Sequence, residues 1–300
     1  MNKIVRPRRF GSEELVRLAS HLTERDRRIA KDCFEFRVLT TSQITRLHFP
    51  SARTATARLD MLYRLRVLDR FRPSLPMGEG TAPYHWFLDE AGALIVADLL
   101  DRDRPELGWQ HSVAASIATS QKLDHHVEVN EFFTRLSVEA LKAGGGLSEW
   151  YGERTLHHMF AGTMIPDGYV VLSLPGRHPL HLLIELDRAS ETSTRLRKKA
   201  ADYECHLPYS ALGKIDVLVL LLVPSARRAT TARLAVAESA VPIIVDVWSK
   251  DSTDSVLAIV LDAEASLTRT RRAATEDELR SGGGSDLLDS SNERREESLP

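Results

Sequence analysis

Asp167 stands behind a proline in Ile165-Pro166-Asp167-Gly168-Tyr169, and Glu185 and Asp187 close the apolar run Leu183-Ile184-Glu185-Leu186-Asp187. Side chains alternate along a strand, so Glu185 and Asp187 project from one face, and Asp167 at the start of a hairpin partner can lie beside them. Carboxylates that close repel unless a cation sits between them. Hard oxygen ligands with positions left for water and phosphate suit Mg²⁺ or Mn²⁺. A metal held by Asp167, Glu185 and Asp187 would polarise a phosphodiester oxygen and lower the pKa of an attacking water, which is nuclease chemistry. The developing charge also calls for a lysine. Lys198 and Lys199, on the helix expected over 191–205, could supply it. On the same helix Glu191, Arg195 and Lys199, and Lys198 and Asp202, stand at i,i+4 spacing, so an ordinary ladder of surface ion pairs is the alternative.

The elements that must position these groups follow from apolar spacing. Short strands are expected over 147–154, 165–174, 180–187, 215–223 and 243–248, with helices over 191–205 and 226–240. The turn Pro175-Gly176-Arg177-His178 makes the second and third strands an antiparallel hairpin, and the helices allow crossovers to the later strands. A long amphipathic helix over 123–143 precedes them, with Val127, Phe132, Leu136 and Leu141 on or near its buried face, and Gly144-Gly145-Gly146 stops it. The fold class is therefore α/β (α+β), with a mixed sheet flanked by helices over 112–268. The pairs His125-His126 and His157-His158 contain no HxH pattern, and adjacent residues point in different directions; helix packing and a solvent-exposed turn account for them. Tyr203 shares a helix face with Leu196 and Ala200 and should pack against the sheet.

Upstream the chain is basic. Residues 1–72 hold seventeen Lys or Arg against eight Asp or Glu, an excess of +9, although the whole chain carries a formal net charge of −2. A basic end on an acidic body points to a polyanion partner. Thr23-Glu24-Arg25-Asp26 should start a helix running to about 37, with Ile29, Cys33 and Phe36 on its apolar face. Leu39-Thr40-Thr41 then breaks it and caps a second, and Ser51 caps a third that buries Ala55, Leu59, Leu62 and Leu65. Strands over 67–71 and 84–88 around a Pro- and Gly-rich turn complete the order of a winged helix-turn-helix over 23–100. In such a module the third helix enters the major groove while the wing grips phosphates. Arg53 and Arg58 are the groove candidates, and Arg70 and Arg72 the backbone candidates. A basic arm over 1–22, a linker over 101–111 and a disordered tail over 269–300 fill out the organisation. No stretch approaches the roughly 18 apolar residues of a membrane span, and the start is too basic for a secretory signal, so a cytoplasmic location with no membrane partner is expected. Cys33 and Cys205 form no CxxC pair and should be buried small hydrophobes.

The order helix, strand, Pro-Asp hairpin, Glu-x-Asp strand, helix, strand resembles the PD-(D/E)XK nuclease core. The position that usually carries lysine there holds Asp187, and a migrated lysine at Lys198 or Lys199 is what divergent members would use; Glu128 or Glu131 is available as the further acid from the preceding helix. Leu22-Thr23-Glu24-Arg25-Asp26, Val38-Leu39-Thr40-Thr41-Ser42-Gln43-Ile44, Leu62-Tyr63-Arg64-Leu65-Arg66-Val67-Leu68, Ile165-Pro166-Asp167-Gly168 and Glu185-Leu186-Asp187-Arg188, with Glu191, Leu196, Lys199 and Tyr203, together resemble the replication-relaxation family of bacterial mobile elements. The resemblance covers most of 23–223 and implies a plasmid or integrated-element protein acting in replication initiation or DNA relaxation. Two functions are compatible with it. One is a DNA nickase using Mg²⁺ or Mn²⁺ at Asp167, Glu185 and Asp187; the other is a non-catalytic factor, needing no cofactor, whose second domain serves dimerisation or partner contact. Double-stranded DNA is the expected partner in both, with other replication or transfer proteins and a second copy of the chain as further candidates.

Overall fold

The computed structural model of the chain describes residues 21–75, 78 and 80–282. Nearly all of the expected basic arm, and the expected tail from 283 onward, lie outside the described residues.

The first unit runs α1 (Glu24–Glu35), β1 (Leu39–Thr40), α2 (Thr41–His48), α3 (Ala52–Arg64), β2 (Leu68–Phe71), β3 (His85–Leu88) and α4 (Glu90–Leu99). Each of the first three helices starts on a side chain that satisfies first-turn amides. Thr23 with Asp26 and Thr40 with Gln43 form capping boxes, and Ser51 accepts from the Thr54 amide. α1 ends earlier than 37, because Arg37 adopts a left-handed φ of 63° that turns the chain towards β1. β1 is a strand where only a break was expected. It pairs antiparallel with β3, Leu39 opposite Trp86, and gives a three-stranded sheet of order β1-β3-β2. Two residues carry no readable alternation, so the partner strand decided it. Ile29, Cys33, Phe36, Leu39, Ile44, Leu59, Leu62 and Trp86 form the core of this unit. Leu107 and Trp109 join that core, so the stretch expected as a linker over 101–111 is packed against the unit it follows.

A short helix α5 (His111–Ala115) and a 3₁₀ turn (Ser116–Thr119) come next, where the sequence showed no helical period. The second unit then runs α6 (Leu123–Lys142), β4 (Gly146–Gly152), α7 (Glu153–Met159), β5 (Gly168–Ser173), β6 (Leu180–Leu186), α8 (Ser193–His206), β7 (Val217–Val223), α9 (Ala226–Val236), β8 (Ile243–Val247) and α10 (Val256–Gly282). Its sheet has the order β4-β5-β6-β7-β8, antiparallel from β4 to β6 and parallel from β6 to β8. β7, Val-Leu-Val-Leu-Leu-Leu-Val, is apolar and buried at every position, as a strand covered on both faces must be. Leu172, Leu182, Ile184, Leu218 and Leu220 face α6 and α10, whereas Tyr169, Leu183, Val219, Leu221 and Val223 lie among residues of α7, α8 and α9. Odd-numbered residues of β6 therefore look towards α8.

Four expectations change here. His157 and His158 lie on α7, exposed but helical rather than in a turn, and that helix also takes the end of the strand expected over 147–154. β5 begins at Gly168 rather than 165, which leaves Asp167 just ahead of the strand. Cys205 is exposed, while Cys33 is buried as expected. α10 continues through 269–282, the first part of the expected tail, because Val256, Ile259, Val260, Ala263 and Leu267 pack on the sheet and propagation of a formed helix costs little per residue. Among the described residues no helix is long and apolar enough to cross a membrane.

The two units are joined by polar contacts between α6 and the first unit. Asn130 donates to the carbonyls of Phe36 and Val38, Gln43 donates to the Val127 carbonyl at 2.9 Å, and Arg46 pairs with Glu131 at 2.7 Å and donates to Thr134. Glu35 accepts from the Gly152 amide and the Thr155 hydroxyl, and the Phe36 and Trp150 rings lie 4.1 Å apart, centre to centre.

Candidate functional site

Gly168 is paired with Ile184, so carrying the antiparallel register one residue further sets Asp167 opposite Glu185. The Asp167 amide donates to the Ile184 carbonyl, and its Oδ2 accepts from the Leu186 amide at 2.8 Å, fixing the carboxylate across the strand end. Gly168 is required beside it. A Cβ there would come within 2.3 Å of Cε2 of Phe133 on α6.

Glu185 is 5 % exposed and faces α8, as its odd number demands. Lys199 Nζ donates to its Oε2 at 2.7 Å, and the Tyr203 hydroxyl donates to its Oε1 at 2.8 Å. Lys199 and Tyr203 are four residues apart, one helical turn, and so reach the same carboxylate. Lys199 also lies 3.1 Å from Glu191. Burial pushes the Glu185 carboxyl up, the Lys199 charge pulls it down and Asp167 adds to the rise; the result lies above the usual glutamate range. Burial would lower Lys199, but Glu185 and Asp167 outweigh it and hold the ammonium charged. On the other carboxylate, His125 Nε2 lies 2.8 Å from Asp167 Oδ1. Burial raises Asp167, yet the His125 bond and charge together with Lys199 bring it below the usual aspartate range. Burial lowers His125, and the Asp167 bond more than reverses that. Its neighbour His126 is pushed down to about 4, mainly by burial, with Glu153 opposing.

The structure thus brings together Asp167, Glu185 and Lys199. Asp187 is held elsewhere. It follows the last residue of β6, where alternation no longer governs direction, and its buried carboxylate is paired with Arg228 of α9. Its Oδ1 accepts from the Glu191 amide at 3.4 Å. Lys198, one residue from Lys199 and so turned about 100° around the helix, is exposed. Glu128 pairs with Arg188 at 3.0 Å and Glu131 with Arg46, so the acids of α6 serve packing between elements. Two members of the cluster were read differently from the sequence. His125 was assigned to helix packing and Tyr203 to apolar packing; the spacing of Tyr203 to Lys199 was the available signal, whereas nothing in the sequence linked His125 to Asp167.

Of the four arginines expected at DNA, two are committed within the protein. The Arg58 guanidinium pairs with Asp26, which is fully buried, and Nε donates to Oδ1 at 2.9 Å. Burial raises Asp26, but the bonds from Arg58 and Thr23 bring it below the usual range. Arg70 lies over the rings of Tyr63, Tyr84 and Trp86 and pairs with Asp60 at 2.5 Å. Helical and strand spacing placed both on the surface; the neighbouring elements supplied carboxylates and rings. Arg53 is exposed in the first turn of α3, and Arg72 is exposed and stacked over Tyr84 at 3.8 Å.

Among the described residues, three ligand atoms lie within 4.8 Å of one another at Asp69, Asp89 and His111. That group lies in the first unit, away from the carboxylates named from the sequence. Arg66 pairs with Asp89 there, and the Asp69 bond holds His111 above its usual range against burial.

The family model described as replication-relaxation matches residues 32–208, more than half of the chain. The chain belongs to the replication-relaxation family. The match takes in α2, α3 and the β2–β3 hairpin as well as His125, Asp167, Glu185, Lys199 and Tyr203, and membership places the protein's role in replication or DNA relaxation. No curated protein and no solved structure matches the chain.

Proposed function

We propose that this protein is a DNA-binding replication factor of a plasmid or other mobile element, and that its second unit is a PD-(D/E)XK-like centre that nicks DNA. The observation that carries this is the lysine on α8 reaching Glu185, with Asp167 opposite, at the end of a mixed sheet of the expected order. The lysine missing two residues after Glu185 is replaced in space by Lys199.

The donor set fits a hard divalent cation. Asp167 and Glu185 are oxygen donors close enough for the Asp167 charge to push Glu185 up. Mg²⁺ or Mn²⁺ bound there would supply Lewis-acid polarisation of a phosphoryl oxygen. Asp167 and Glu185 would hold it. Lys199 stays protonated and sits where it can neutralise developing charge, Tyr203 fixes the rotamer of Glu185, and His125 fixes that of Asp167. The first unit, read as a winged helix, presents Arg53 at the start of α3 and Arg72 beyond β2 to duplex DNA. Because α2 is bonded to α6, DNA held there would be set at a defined position relative to the carboxylates.

A second reading has its own support. Glu185 and Asp167 already have protein donors on both oxygens, as in a retired centre whose charges are balanced internally. In that case the second unit contacts a partner protein or a second copy. Supercoiled plasmid carrying the element's origin, incubated with the protein plus Mg²⁺ or Mn²⁺ or a chelator, separates the two. Metal-dependent conversion to the open circle, lost in Glu185→Gln and Lys199→Met, is expected; origin binding without conversion would leave the non-catalytic factor.

A further inference from the structure

Where α1, α5 and α7 meet lies a small cavity of about 60 Å³, lined by Cys33, Phe34, Arg37, Trp109, Ser116, Ser120 and Arg154 among others. It is separate from the carboxylate site. No acidic residue lines it, and two arginines do. Arg154 Nε and Trp109 Nε1 are buried with no hydrogen-bond partner among the described residues. Buried donors are almost always paired, and an unmade bond of this kind costs more than most contacts contribute. Here two such donors line the same cavity.

The charges lean the same way. Arg154 lies over the Phe34 ring, 4.7 Å from its centre. Burial pushes its guanidinium down, Arg37 adds to that, and only Glu35 opposes. Glu35 cannot serve as a close partner, because its two oxygens are taken by the Gly152 amide and the Thr155 hydroxyl. The Ser120 hydroxyl accepts from the Lys122 amide, which leaves its proton to donate. Two guanidinium groups, an indole N–H and a hydroxyl around a space this small describe an acceptor-rich anion. The volume is far below the roughly 300 Å³ at which sites for drug-sized ligands begin, so a nucleoside is too large.

We propose that this cavity binds a single phosphoryl group, as inorganic phosphate or as the terminal phosphate of a DNA strand, on Arg154, Arg37 and Trp109 Nε1. Arginine suits that ligand because its planar fork meets two phosphate oxygens at once. The site does not depend on whether the carboxylates at Asp167 and Glu185 cut DNA. It would tie α1 of the first unit to α7 of the second through a shared anion.

The test is calorimetric titration of the full chain with inorganic phosphate, at constant ionic strength with chloride as reference. One phosphate per chain is expected, with at least a tenfold loss of affinity in Arg154→Met and about a threefold to tenfold loss in Trp109→Phe, which keeps an aromatic ring and removes the N–H. Absence of saturable binding through the millimolar range, or unchanged binding in both folded variants, overturns the proposal. A 5′-phosphorylated oligonucleotide that displaces phosphate, when its 5′-hydroxyl counterpart does not, supports the site with a strand end as its source; failure of both to displace it supports the site with free phosphate.

Discussion

Replacing Lys199 by methionine keeps most of the side chain and removes the ammonium that meets Glu185. Glu185, 5 % exposed, then has Tyr203 as its remaining side-chain donor and two courses. It can stay ionised without its cation, which costs several kcal/mol, or take up a proton. The second course is capped, because holding a carboxyl neutral costs about 1.4 kcal/mol for each pH unit above its unfolded pKa of about 4.3. The cap is therefore about 3.7 kcal/mol at pH 7 and about 1 kcal/mol at pH 5. Burial already raises Glu185 in the unmodified protein, so part of this is present before the change. The variant should be less stable by about 2–3 kcal/mol at pH 7 and by under about 1 kcal/mol at pH 5. The sign follows from the raised carboxyl. Its contribution is full below the unfolded pKa and declines as pH rises towards the folded one, and the variant, with the higher folded value, declines over the wider window. Lys199 is itself raised, so its contribution is constant through this range. Urea unfolding followed by circular dichroism at pH 5, 6, 7 and 8 measures the difference. A value independent of pH, or one below about 0.5 kcal/mol throughout as for an exposed pair, would refute the buried, compensated Glu185–Lys199 contact.

Arg58→Met strands the fully buried Asp26 carboxylate and should cost about 3–5 kcal/mol in chemical denaturation at pH 7. Asp26 is held below its usual range, so that cost should shrink as pH falls through the unfolded aspartate value of about 3.9, where the unmodified protein loses the same stabilisation. Arg53→Ala with Arg72→Ala should change stability by less than about 0.5 kcal/mol and weaken duplex binding, with the slope of log K against log salt falling by roughly 2; an unchanged slope in fluorescence anisotropy would move the DNA surface elsewhere. Gly168→Ala should destabilise by about 1–3 kcal/mol because the new Cβ meets the Phe133 ring, and thermal melts that match the parent protein would mean that the ring moves freely.

Local signals were legible where one segment contains its own explanation. Thr23, Thr40 and Ser51 each satisfy amides two or three residues ahead, so the starts of three helices could be read directly. The continuous apolar run of β7 and the short turn after β5 led to a mixed sheet for the same reason. β1 and α5 were not legible. The first exists only against β3, and the second has too few residues for a period.

The candidate site divides along the same line. Asp167 and Glu185 come together through a hairpin register that spacing and alternation specify, so the sequence alone determined that pair. It also determined that Lys199 and Tyr203 share a helix face. Only the tertiary structure decided which carboxylate they meet, that His125 reaches across from α6 to Asp167, and that Asp187 belongs to Arg228. It decided too that Arg58 and Arg70 are spent inside the first unit while Arg53 and Arg72 stay exposed. The physical reason is the range of each effect. Caps, turns and alternation act within a few residues, whereas the partner of a long charged side chain is set by packing between elements far apart in the chain.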